Sequence, residues 1–186
     1  MLPMLLALSA HAAEPETPEP PNPPVTAEAI DAGVEGFRVV YEVLTHPRCR
    51  NCHPDGDVPT VGDASTPHEM GIDRHSPERG LPCTTCHRWT GIPGAFIPPA
   101  NLVWMQPPAS QAFQDRTAAQ LCAQLNNPEN TGGRDLPALL LHVQHDLLVL
   151  WGWNPGGGRS TPPHSHAAFV KAFGAWVDAG GPCDGL

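Results

Sequence analysis

Between residues 26 and 44 apolar side chains recur every three or four positions, at Ile30, Val34, Phe37, Val40, Tyr41 and Leu44. That period lines them along one face of an α-helix. Thr26 is a suitable N-cap, and Pro47 requires the helix to end before it. Three later segments carry the same signature. One starts at Asp115 or Thr117 and runs through Leu125. One starts at Asp135 and runs to about Leu150. The last starts at Ser165 and runs through Ala179, with Gly180 as its stop. Residues 45–116 have neither a helical nor a strand period, and they are filled with Pro, Gly, Asp and Thr. The pattern predicts an all-α fold, with long Pro/Gly-rich loops between the helices.

Composition changes this picture in one respect. With 24 Pro, 18 Gly, 40% hydrophobic and only 6% aromatic residues, the chain is poor in material for a core of its own. Small domains of this kind rely on disulfides, metals or a large cofactor, and six Cys and ten His are the residues that can recruit them.

The 186 residues allow one ordinary domain, predicted over 26–186. Residues 1–13 read as a signal peptide, with a short apolar run and then Ala10-His11-Ala12, although no Lys or Arg precedes the run. Residues 14–25 read as a Pro-rich, acidic tether, which at 3.1 Å per residue spans roughly 35 Å. No stretch is long and apolar enough to cross a membrane. The expectation is an exported, periplasmic protein, soluble or tethered near the membrane. The net charge of −9 argues against nucleic acid as a partner and suits a protein partner with a basic face.

Two short stretches carry chemistry: Cys49-Arg50-Asn51-Cys52-His53 and Cys83-Thr84-Thr85-Cys86-His87. Both are C-x-x-C-H, the pattern of covalent haem c attachment. The two thiols add across the haem vinyl groups, and the adjoining His53 or His87 binds the iron. Zinc held by four thiolates is the first competing reading, but zinc does not require a His after the second Cys of both pairs. Redox-active CxxC pairs and structural disulfides likewise leave both His unexplained. The motifs start 34 positions apart, at 49 and 83. That is too close for separate domains, so the two haems are expected to share one fold and exchange electrons directly.

A sixth iron ligand is then sought for each haem. His68 and His142 are the preferred distal ligands, with Met70 and Met105 as alternatives. His142 has Asp146 one turn later, where a carboxylate can orient an imidazole that binds iron through its other nitrogen. His145 is a weaker choice, and His164 and His166 are expected in an exposed loop. Cys122 and Cys183, left over in an oxidising compartment, are expected to pair as a disulfide. In Trp151–Arg159, two readings stay open: Trp rings and Arg159 against a haem and its propionate, or ordinary aromatic packing.

The chain resembles small dihaem cytochromes of the family known as isoquinoline 1-oxidoreductase subunits. The resemblance is carried by Cys49–His53 with Pro54, Gly56, Asp57 and Pro59, by Gly62-Asp63, by Pro67-His68-x-Met70, and by Cys83–His87. It continues in Ile92-Pro93-Gly94-Ala95, Leu121-Cys122, Asn130–Arg134, His142-x-x-x-Asp146, Trp151-Gly152-Trp153-x-Pro155-Gly156, Arg159 and Pro182-Cys183. Between Pro99 and Leu121 the chain departs from the pattern, which puts Met105 in doubt as a ligand. The resemblance supports His68, Met70 and His142 as ligands. It implies a cytochrome c-like fold wrapped around two covalent haems and an electron-accepting role beside a molybdenum-type or other periplasmic dehydrogenase, with electrons passed on to a downstream acceptor. The expected function is electron transfer rather than catalysis. The alternative is a small haem enzyme, peroxidase- or reductase-like, with one displaceable axial site.

Overall fold

The computed structural model describes residues 24–87, 98 and 105–186. The expected signal peptide, all but the last two residues of the expected tether, and Ile92–Ala95 lie outside the described residues. The described chain is mainly helical: α1 (Ala27–Leu44), α2 (Pro47–Arg50), α3 (Ala118–Leu125), α4 (Leu136–His145), α5 (Leu147–Trp151) and α6 (His166–Asp178). Among the described residues no helix is long and apolar enough to cross a membrane.

Helix starts follow the side chains that can cap them. Thr26 Oγ1 accepts from Ala29 N, Asp135 from Ala138 N and Ser165 from Ala168 N. Thr117 and Gln120 form a reciprocal capping box at the start of α3. Of the two starts considered for that helix, Thr117 is the cap, and Asp115 stands outside with φ of 57°.

α1 and α6 cross at close range. A Cβ on Gly36 would stand 2.6 Å from the carbonyl oxygen of Ala172, and one on Gly33 would stand 2.6 Å from Cβ of Ala179. The two glycines therefore let the backbones approach. Around this crossing Phe37 meets Trp176 at 4.9 Å between ring centroids, and Phe173 meets Trp176 edge-on at 5.4 Å. α3 adds Leu121 and Leu125, and α4 adds Leu139 and Val143, to one buried cluster. Cys122 and Cys183 form the expected disulfide, tying α3 to the segment after α6.

Besides α2, which forms inside the span 45–116 expected as loop, two details differ from the sequence reading. The helix expected from Asp135 to about Leu150 is broken at Asp146, whose ψ of 127° is extended. Asp146 ends α4, its N–H donating to His142 O, and its carboxylate caps α5 at Leu148 N. An Asp side chain competes better as a cap than inside a helix. A two-residue antiparallel pair, Thr60–Val61 with Thr66–Pro67, also forms where no strand is expected. It is too short for alternation to register in the sequence.

The cluster draws nothing from the long excursion after the first motif. From Asp55 to His87 the only buried residue is Ser76. Polar contacts hold this segment instead: Arg74 to Asp57 and to Gly56 O, and Arg79 and Ser76 to Asp73.

The close crossing makes two glycine substitutions diverge. Gly36→Ala is expected to lower the unfolding free energy by about 1–3 kcal/mol through overpacking. At Gly174 in α6 a Cβ would meet only Leu140 Cδ2, at 4.0 Å, so Gly174→Ala is expected to raise stability by about 0.5–1 kcal/mol. Denaturant midpoints of the two variants check both signs.

Candidate functional site

The first motif lies on α2 and the turn that follows. His46 caps α2, its Nδ1 accepting from Arg48 N, and Pro47 stands in the first turn, where no N–H is needed. His53 N donates to the carbonyls of Cys49 and Arg50. Cys49, Cys52 and His53 therefore occupy positions i, i+3 and i+4 of a single turn and share one side of it. Asn51 pins this turn from behind: its Nδ2 donates to Gly62 O at 2.8 Å, and its Oδ1 accepts from Thr60 Oγ1 at 2.7 Å.

The His53 ring stacks on Phe113 at 3.8 Å with 6° between planes. Its Nδ1 lies 2.8 Å from the carbonyl oxygen of Gln111. Burial pulls the ring's pKa down to about 4, against the opposing pull of the Gln111 bond, with smaller lowering by the charges of His142 and Arg74. The imidazole is thus neutral at pH 7. A carbonyl can only accept, so the ring proton is on Nδ1 and the lone pair on Nε2.

His142 belongs to α4 and lies within electrostatic reach of His53. Its Nδ1 is 3.5 Å from Oδ2 of Asp146, the residue that breaks the helix. Burial lowers its pKa, Asp146 opposes, and Arg134 adds to the lowering. The ring borders an open concavity of about 580 Å³, shared with Arg134, Leu141, His145, Asp146 and Leu147. Leu141 and Leu147 are exposed there despite being large and apolar.

The second motif repeats the local geometry with less support. Cys83–Thr85 form a 3₁₀ turn, and the N–H groups of Cys86 and His87 both donate to Cys83 O. His87 Nδ1 is 3.4 Å from Pro98 O. Burial lowers the His87 pKa, with the Pro98 carbonyl opposing and the charge of His68 contributing. The His68 ring stands opposite, its centroid 6.4 Å from that of His87, and its Nδ1 is 2.8 Å from Glu69 O.

His68 thus stands beside the motif His87, and His142 lies within electrostatic reach of the motif His53. All four rings turn Nδ1 toward an oxygen. Other histidines spend Nε2 inside the protein: His46 on Ser160 Oγ, His164 on Glu42 and His166 on Val143 O. His164 and His166 are half-buried rather than exposed, because Ser165 caps α6 and makes His166 its first residue. Met70, with φ of 64°, and Met105 are 81% and 65% exposed. Trp153 resolves to ordinary packing: its Nε1 donates to His164 O, and its ring meets His166 and Phe169. Arg159 Nη1 donates to Pro155 O.

The four motif cysteines are not cross-linked. Burial pushes the Cys49 thiol up to about 12 and the Cys52 thiol up to about 11. Redox-active CxxC pairs need the opposite shift. Among the described residues no three His, Cys, Asp or Glu converge as a metal-ion site. The residue types at each motif fit a covalent haem: thioether formation would consume the thiols pairwise and leave each His to the iron.

Sequence reasoning missed Gln111 and Phe113, which fix His53, because a carbonyl acceptor in a loop has no residue-type signature. It also missed the contacts around Asp63. This carboxylate pairs with the Arg48 guanidinium at 2.7 Å and accepts from Ser160 N at 3.0 Å. Compared with family models, with curated proteins and with solved structures, the chain matches none.

The bonds from Ser160, and then the charge of Arg48, hold the Asp63 carboxyl below the usual carboxylate range. A lowered folded pKa stabilises the fold above the unfolded value near 4 and ceases to do so as pH falls through the folded value. Asp63→Asn is therefore expected to melt below the wild type at pH 7. The gap closes as pH drops below about 4, which thermal midpoints measured across pH 2–7 check.

Proposed function

We propose that the chain is a dihaem c-type cytochrome that carries electrons between redox proteins. The observation that supports this reading is His68 beside the C-x-x-C-H histidine His87, with His142 within electrostatic reach of the other, His53. Two imidazoles on one metal, each about 2 Å from it, set their ring centroids about 6 Å apart. The 6.4 Å between His68 and His87 agrees with that spacing. Bound haem c supplies a one-electron iron couple.

The residues then have separate tasks. Cys49 with Cys52, and Cys83 with Cys86, hold the two porphyrins covalently. His53 and His87 would bind the irons, and His142 and His68 would be the second imidazoles, all through Nε2. Gln111 and Phe113 fix the His53 ring, and Asp146 orients the His142 ring, as outer partners of metal-bound imidazoles commonly do. Two imidazoles per iron leave no open position for a substrate, which favours an electron relay over a haem enzyme. They also favour lower potentials than Met ligation. The segment 55–87, with Ser76 alone buried, gains in a haem the apolar body it lacks. The resemblance to isoquinoline 1-oxidoreductase subunits suggests a periplasmic setting, a dehydrogenase as donor and the respiratory chain as acceptor.

Carbon monoxide tests the ligand assignment. The wild-type reduced protein is expected to bind none. His68→Ala and His142→Ala are each expected to bind one equivalent, and the double variant two, read from the Soret band. Rapid binding by the wild type, together with peroxide turnover, would instead favour the enzyme. Single variants that behave like the wild type would remove these ligands from the account.

A further inference from the structure

Arg48 directly precedes Cys49 on α2, and its side chain is only 2% exposed. Its guanidinium cannot shed its charge at neutral pH. Burying such a charge is costly, and a packed apolar side chain would do the same structural work more cheaply. The only carboxylate that it pairs with among the described residues is Asp63, 2.7 Å from Nη2, while Nε is buried without a hydrogen-bond partner. Gly152 lies beside this side chain, for a Cβ there would stand in ordinary contact with Arg48 Cβ at 3.6 Å. The two charges differ in setting. Arg48 lies inside, beside a motif cysteine. Asp63 is 48% exposed and is held at the surface by Ser160 N, with Ser160 Oγ reaching on to His46 Nε2.

We infer that Arg48 and Asp63 are a charge pair that sets the reduction potential of the haem on Cys49 and Cys52. This rests on the cytochrome reading above. A buried cation acts on its surroundings through low dielectric, whereas its counter-charge at the surface is screened. The field at the attachment turn is therefore a balance between the two residues. Reduction adds one electron to the iron, taken from the donor, with no bond made or broken, and a nearby positive charge favours the product. Removing the carboxylate leaves Arg48 uncompensated and makes reduction easier. Removing the guanidinium makes it harder. Both residues act through the field and touch no reacting atom.

Mediated redox titration of holoprotein whose intact mass includes both haems provides the test. Asp63→Asn is expected to raise one of the two potentials by about 59 mV, tenfold in the one-electron equilibrium, and to leave the other in place. Arg48→Gln is expected to lower that same potential, and Asp63→Glu to restore the wild-type value. Loosening of the fold would move both variants in one direction. That result, a shift of both potentials together, or no shift, would overturn the proposal. If Arg48→Gln fails to fold, the contrast between Asp63→Asn and Asp63→Glu decides alone. Absence of haem from the wild-type protein would overturn the cytochrome reading itself.

Discussion

The helical part of this fold is hung from the crossing of α1 and α6. Gly36 faces the carbonyl of Ala172 with no space for a methyl group, so the helices approach to backbone contact and Phe37, Phe173 and Trp176 close over the junction. α2 follows α1 after Thr45 and His46, which fixes where Cys49, Cys52 and His53 stand. α4 packs on α6 through Leu139 and Val143, and the adjacent residue His142 is thereby brought toward His53. One apolar contact between two helices far apart in sequence thus positions both histidines of the first site.

The second site has no such scaffold. Its candidate ligands, His68 and His87, lie on a segment whose only buried residue is Ser76 and which is held by Arg–Asp and Ser–Asp contacts at the surface. Surface ion pairs of this kind contribute little each. A large apolar disc between the two rings would supply what the segment lacks. The two halves of the molecule therefore differ in kind. One half holds its candidate ligands on helices, and the other has Ser76 alone buried between residues 55 and 87.

Much of this was legible in the sequence, for identifiable reasons. Thr26, Thr117 and Ser165 are side chains that cap helices, and the apolar period after each reports a buried face. The two C-x-x-C-H stretches are local, so their one-turn geometry follows from spacing alone. Asp146 was legible as a partner of His142 but not as a helix break, because the apolar run from Leu139 to Leu150 continues across it. That His142 comes within electrostatic reach of His53 was not legible, since it depends on how α4 packs. The support of His53 by Gln111 and Phe113, and the Arg48–Asp63–Ser160 contacts, join segments that are remote in sequence and carry no shared pattern. His166 was misplaced as exposed although its neighbour Ser165 had been read as the helix cap.

The account stands or falls on two porphyrins joined to this chain by thioethers. Pyridine haemochrome absorbance against protein concentration, with intact mass, measures that directly on protein exported in a host with a working haem-attachment system. The account predicts two haems per chain and a mass equal to the mature polypeptide plus both. A colourless product at the mass of the bare polypeptide would contradict it.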